Sequence, residues 1–186
     1  DERFGSGRYL ANATVRFKPH AIRRIFSVHQ LAYAETYSAP VLVIALQEEA
    51  GKSVLWGDSN LLLQALKEQE LPKGLLPYVA PYGDIEDIAL LNLEKARSFR
   101  NFDFADITER YGVGGVVFIE GKLNGDSVSI SGRMLSLGRS LRFPAKKYDS
   151  DIRTATIQAL QDFQETWKAQ NLIAGSPQKT LHAVLD

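Results

Sequence analysis

Tyr111-Gly-Val-Gly-Gly-Val-Val-Phe-Ile-Glu-Gly-Lys-Leu-Asn-Gly-Asp-Ser-Val-Ser-Ile-Ser-Gly-Arg-Met-Leu135 reads as the hairpin around which the rest of the chain is arranged. Its first half, Val113 to Ile119, carries no charge and is rich in β-branched and aromatic residues, as expected of a strand covered on both faces. Asn124-Gly125 supplies the two left-handed positions of a type I′ turn. Beyond it Val128, Ile130 and Met134 alternate with Ser127, Ser129, Ser131 and Arg133, which predicts one dry face and one polar face.

A second uninterrupted apolar run, Val41 to Leu46, predicts another buried strand, placed beside the first in one sheet. Between the two, Asp58 or Ser59 is expected to cap a helix reaching about Glu70. Leu75 to Val79 reads as a short strand, Asp84 to Leu91 as a helical stretch, and Phe102 to Tyr111 as a helix that delivers the chain through Gly112. After the hairpin, Arg139, Leu141 and Phe143 form a third meander strand that Pro144 is expected to stop. Asp149 or Ser150 then caps the longest helix, whose stripe of Ile152, Ala155, Thr156, Ala159, Leu160, Phe163 and Trp167 suits a sheet surface. That helix is expected to end near Gly175 and Pro177.

Upstream, Arg8 to Phe17 alternates as a half-buried strand, Ile22 to His29 repeats at helical spacing, and Leu31 to Tyr37 forms a short extended return. The expected organisation is therefore a βαβ appendage over residues 1–38, a main α/β (α+β) domain over 39–174, and a tail over 175–186. In the main domain, helices pack on a mixed sheet with an antiparallel meander. Thr180 to Leu185 reads as the beginning of a further strand. The start at Asp1, without methionine or a signal-like segment, reads as a processed or excised chain.

Composition narrows the function. The 186 residues contain 22 Lys plus Arg and 22 Asp plus Glu, so no global field draws the chain to nucleic acid. The absence of cysteine removes disulfides, thiolate nucleophiles and Cys-based zinc sites. No apolar run approaches the ~20 residues that cross a bilayer. No cofactor or metal is expected; His20 and His29 fall on opposite sides of one short helix, unsuited to a shared ion.

Four stretches invite chemistry. Val54-Leu55-Trp56-Gly57-Asp58-Ser59-Asn60 resembles the nucleophile block of the Gly-Asp-Ser-Leu hydrolases, with Ser59 as the candidate nucleophile. That family also requires a late Asp-x-x-His, so that imidazole accepts the serine proton. Here Lys179 stands where the aspartate belongs, three residues before His182, and a helix cap is the plainer role. Gly51-Lys52-Ser53 lacks the leading glycine of a phosphate loop. Gly112 to Gly115 runs from helix to strand, the reverse of a dinucleotide site, and suits close approach of a helix to the sheet. Asp84, Glu86 and Asp87 can converge on a cation or form an acid–base pair, although carboxylates also favour a helix start. With Trp56 they are the candidate ligand-binding residues. Arg133, Arg139, Arg142, Lys146 and Lys147 form a basic strip on the meander. It lacks the outward aromatics of a single-strand nucleic-acid surface, so no nucleic-acid partner is expected.

The Val15-Arg16-Phe17 strand with its helix, Ala39-Pro40 leading into Val41 to Leu46, Gly57-Asp58-Ser59 leading into Leu61 to Leu66, Leu76-Pro77 with Asp84 to Asp87, and Arg110-Tyr111-Gly112 together resemble a bacterial family known only as domain of unknown function two thousand and sixty-six. The likeness covers most of residues 8 to 135. It departs at Ala39, where that family usually has arginine. The order of elements is also similar to the amino-terminal α/β domain of TolB and related envelope assembly proteins. The resemblance implies a periplasmic or membrane-associated protein of Gram-negative bacteria with no catalytic residues to carry over. The leading expectation is a non-enzymatic envelope module that binds a protein, or the remainder of its own chain, through a sheet edge or the polar face of the meander. Any membrane association would come through parts outside this chain. The alternatives are a serine hydrolase using Ser59 and a small-ligand-binding domain.

Overall fold

A computed structural model describes residues 2–5, 8–11, 25, 38–98, 104–125, 127–136 and 139–171. The chain divides into two compact units, one of Glu35–Asn171 and one of Asp1–Ala34 with Leu172–Asp186. In the latter, β1 (Glu2–Gly5) pairs antiparallel with β2 (Arg8–Ala11). Only the first four residues of the expected strand from Arg8 are therefore seen, and β1 lacked any alternation to announce it. The expected helix at Ile22 to His29 (Ile25 apart), the return to Tyr37, the helix end near Gly175 and the strand at Thr180 lie outside the described residues.

The larger unit runs β3 (Val41–Glu49), β4 (Lys52–Val54), α1 (Leu61–Glu68), β5 (Tyr78–Val79), α2 (Ile85–Leu90), α3 (Leu93–Ser98), α4 (Ala105–Tyr111), β6 (Gly115–Asn124), β7 (Ser127–Ser136), β8 (Arg139–Tyr148) and α5 (Ile152–Asn171). Its six-stranded mixed sheet has the order β4-β3-β6-β7-β8, with β5 also on β3. Strands β3 and β6 lie side by side and parallel, from Val41 opposite Gly115 to Glu49 opposite Leu123. The meander β6-β7-β8 is antiparallel. The fold is α+β, as the sequence predicts.

Both central runs are dry because each face has its own cover. Val41, Val43, Ala45, Val117 and Ile119 join Leu62 and Leu66 of α1 and Ala159, Leu160 and Phe163 of α5 in one apolar cluster. Leu42, Ile44, Leu46, Val116 and Phe118 join Leu91, Ala96, Phe104 and Ile107 from the α2–α4 side in a second. Two glycines set how closely the first layer approaches. A Cβ on Gly121 would lie 2.5 Å from Leu62 Cδ1, and one on Gly132 would lie 2.6 Å from Phe163 Cζ. Phe163 also stacks on Phe143 with ring centroids 3.7 Å apart.

Several local expectations need correction. Asn124 pairs with Ser127 and so belongs to the ladder rather than to the turn, and Gly125 takes the left-handed φ of +59°. Either placement of a two-residue loop leaves the same side chains on the dry face, so periodicity does not choose between them. Pro144 does not end β8. Gly132 faces Phe143 while Ile130 faces Lys146, which puts residues 144 and 145 opposite Ser131 in a bulge. On an edge strand the missing proline N–H costs no ladder bond.

The caps shift by one or two residues. Asn60, not Asp58 or Ser59, caps α1 by accepting from Leu63 N, and α1 ends at Glu68. Asp151, not Asp149 or Ser150, caps α5 by accepting from Arg153 and Thr154 N–H groups. β4 is a three-residue strand over Lys52–Val54, and α3 over Leu93–Ser98 adds a short helix that the sequence reading does not include. Gly114 and Gly115 do not admit a helix. A Cβ there would meet Ala39 Cβ at 2.5 Å and Leu135 O at 2.4 Å, so these glycines let backbone segments approach each other.

Candidate functional site

The three acidic candidates do converge, but on the protein's own arginine. Asp84 caps α2, accepting from Glu86 and Asp87 N–H groups. Its carboxylate also takes a two-pronged bond from Arg110 near the end of α4, Nη2 to Oδ2 at 2.7 Å and Nη1 to Oδ1 at 2.8 Å. Arg110 reaches Glu86 at 3.1 Å and also Asp87. The Asp87 side chain is wholly buried. Its Oδ2 accepts from Gly83 N at 2.6 Å and from the Tyr111 hydroxyl at 2.7 Å, while Oδ1 accepts from Arg110. Tyr111 Oη in turn accepts from Tyr82 N at 2.6 Å. The two tyrosine rings stack 5.2 Å apart, with the guanidinium 5.5 Å from each centroid.

The electrostatics follow from these bonds. The Arg110 fork holds the Asp84 carboxyl at about 2, well below the usual range, with the Asp87 N–H bond adding to it. Burial, and then the bond to Asp87, push the Tyr111 hydroxyl up. Asp84 and Asp87 accept from internal donors, Arg110, Tyr111 and backbone N–H groups, so their acceptor capacity is spent largely within the protein. Among the described residues, no group of three or more acidic or histidine side chains is placed to hold a metal ion. Arg110, Tyr111 and Tyr82 escaped the sequence reading as partners of these acids. The dipeptide Arg110-Tyr111 before a left-handed Gly112 was the available signal.

Trp56 is half-buried, and its Nε1–H donates to Leu91 C=O at 2.5 Å. Leu91 is the C-cap of α2 and Asp84 its N-cap, so the expected ligand residues clamp the two ends of one short helix. Ser59 is exposed, in a turn after Gly57, whose φ is +92°. Its neighbour Asn60 does the structural work: Nδ2 donates to Ala45, Val54 and Leu55 carbonyls at 2.8, 3.1 and 2.9 Å. His182, like the other two histidines, lies outside the described residues.

The second candidate region is the side of the sheet that carries α2–α4. Those helices stand over β3 and β6, and beside them a groove of about 520 Å³ opens on the polar face of β7 and β8. Arg97, Arg133 and Arg142 line it together with Glu120, Ser131, Phe118 and Pro144. Arg133 and Arg142 are direct cross-strand partners. Lys146 belongs elsewhere: it bonds Asp162 of α5 at 2.6 Å and lies 5.3 Å from the Tyr148 ring centroid. Lys147 pairs with Asp149 at 3.3 Å. The basic strip read from the sequence is therefore divided, with Arg133 and Arg142 joined by Arg97 from α3.

No protein-family model matches the chain, and no curated protein matches it. Among solved structures, the LpoB carboxyl-terminal domain from Salmonella enterica is similar over 71% of this chain and 97% of that one, at 10% identity and a TM-score of 0.37. Likeness at that score carries neither fold nor function. No helix of the described residues is long and apolar enough to cross a membrane.

Proposed function

We propose that this chain is a non-enzymatic protein-binding module of the bacterial cell envelope, which offers the polar face of its meander to a partner or to the rest of its own polypeptide. The observation that carries the reading is the groove over β7 and β8, where Arg97, Arg133 and Arg142 line a concave surface. The catalytic alternatives have less support, since Asp84 and Asp87 are spent on Arg110, Tyr111 and backbone N–H groups. The envelope assignment rests on the sequence resemblance described above.

Face binding is favoured over strand addition at β8. That edge carries a bulge, Pro144 and the exposed Lys146 and Lys147, features that discourage pairing with another strand. The test is site-directed photocrosslinking in native cells with the full-length protein. A photoreactive residue at Ser140 or Arg142 is expected to trap a discrete protein or intramolecular adduct, and one at the exposed Gln158 on α5 is not. Folded protein that yields no adduct from Arg142, which lines the groove, or from Ser140, two residues before it on β8, overturns the proposal.

A further inference from the structure

We infer that Asn124 is a site of spontaneous modification in the folded protein: the Gly125 amide closes on its side chain and converts it, through a succinimide, to aspartate and isoaspartate. Of the six asparagines in the chain only Asn124 precedes a glycine. A side chain on the following residue shields the amide nitrogen from this reaction. Glycine has none, and a Cβ built on Gly125 meets nothing within 4 Å, so the approach to the nitrogen is open.

The other described asparagines are held by their side chains. Asn60 Nδ2 donates to three carbonyls while its Oδ1 accepts from Leu63 N, Asn92 Oδ1 accepts from Lys95 N at 2.9 Å, and Asn171 Nδ2 donates to Trp167 C=O at 2.8 Å. Asn124 is exposed, and among the described residues its carboxamide has no hydrogen bond; the Ser127 hydroxyl donates to its backbone carbonyl instead, at 3.3 Å. Asn124 and Ser127 are also the last pair of the β6–β7 ladder, and ladder ends open before their middles. The residue can therefore turn from extended backbone to the geometry of the ring without parting the pairs beyond it.

The reaction needs only water. Gly125 N loses its proton to hydroxide and bonds to Asn124 Cγ, the Cγ–Nδ2 bond breaks, and ammonia leaves. Water then opens the succinimide, at Cγ to give aspartate or at the main-chain carbonyl to give isoaspartate; nothing is oxidised or reduced. The new carboxylate joins Glu48 and Glu49 in lining a cleft of about 210 Å³, where Lys122 already pairs with Glu48 at 3.2 Å. Isoaspartate also adds a methylene to the main chain, which displaces residue 124 from its place opposite Ser127.

Incubation of the folded full chain at mildly alkaline pH, followed by peptide mapping, tests this. The peptide carrying Asn124 is expected to gain about 1 Da, the change from amide to acid, and to contain both aspartate and isoaspartate. The gain should be at least tenfold faster than in the peptides carrying Asn60, Asn92 or Asn171. Asn124→Gln, which requires a larger ring, and Gly125→Ala, which sets a methyl beside the nitrogen, should each slow it at least tenfold. Alanine is strained at the positive φ of Gly125, so Asn124→Gln is the variant expected to keep the fold intact. A gain at Asn124 no faster than at the other asparagines, a gain confined to chain incubated in urea, aspartate without isoaspartate, or a gain that persists in Asn124→Gln each overturns the inference. The purified isoaspartate form is expected to melt below Asn124→Asp, which carries the same charge on an unaltered main chain; equal melting temperatures would overturn the effect on the ladder.

Discussion

Arg110 joins the exposed helix cap to the buried interior: one guanidinium forks onto Asp84 and also pairs with Asp87, whose side chain has no solvent exposure. Asp87 is thus the anchor of the contact between α2 and α4. Asp87→Ala would strand the Tyr111 hydroxyl and Gly83 N–H without their acceptor and leave Arg110 short of a partner. Removing one member of such a network costs about 3 kcal/mol or more. Chemical denaturation is expected to show that loss, and Tyr111→Phe, which deletes only the hydroxyl, about 1–2 kcal/mol.

The same clasp makes stability depend on acid. In the unfolded chain the Asp84 carboxyl titrates near 3.8, whereas in the folded chain the Arg110 fork holds it at about 2. Between those values the unfolded state binds more protons. The contribution is therefore complete above about pH 4 and is lost as pH falls toward 2. Urea midpoints measured from pH 5 to pH 2 should fall more steeply for wild type than for Asp84→Asn, which cannot titrate. Parallel curves would show that the fork contributes nothing to acid sensitivity.

Much of this architecture was legible because it depends on burial. The runs at Val41 and Val113 lack polar residues, which only a doubly covered strand tolerates, and β3 and β6 occupy the middle of the sheet. The α5 stripe was equally plain, since Ala155, Ala159, Leu160 and Phe163 repeat at helical spacing over the sheet. What periodicity does not encode is the choice among adjacent polar residues. Asn60 outcompetes Asp58 and Ser59 as a cap because its amide also reaches three carbonyls contributed by β3, β4 and the residue after β4, a tertiary fact. Likewise Asp84 and Asp87 were visible as acids, but their partner Arg110 lies more than 20 positions along the chain.

That distinction between Asn60 and Ser59 yields opposite expectations for neighbouring alanines. Asn60→Ala removes a cap and leaves the Ala45 and Leu55 carbonyls unpaired in the interior, a loss of about 2–4 kcal/mol. Ser59→Ala changes an exposed turn residue and should stay within about 0.5 kcal/mol of wild type. A fluorophosphonate serine probe is expected to label neither wild type nor Ser59→Ala. Labelling of wild type that Ser59→Ala abolishes would revive the hydrolase alternative.

Two glycines of β6 separate side-chain from backbone crowding. A Cβ on Gly121 meets the end of the Leu62 side chain at 2.5 Å, and a rotamer change or a small shift of α1 relieves it. A Cβ on Gly115 meets Leu135 O at 2.4 Å and the Ser136 backbone at 3.1 Å, inside the β6–β7 ladder where Gly115 pairs with Ser136. Relief there requires parting two hydrogen-bonded strands. Overpacking of the first kind costs about 1–3 kcal/mol. Gly115→Ala is therefore expected to lower the melting temperature more than Gly121→Ala. Amide exchange in Gly115→Ala should accelerate first at Val116 and Leu135, the next pair along the ladder, while in Gly121→Ala the faster exchange should fall on α1. Equal melting temperatures for the two variants would mean that the start of the central hairpin yields as readily as one leucine side chain, and the close strand approach at Gly115 would then have no energetic consequence.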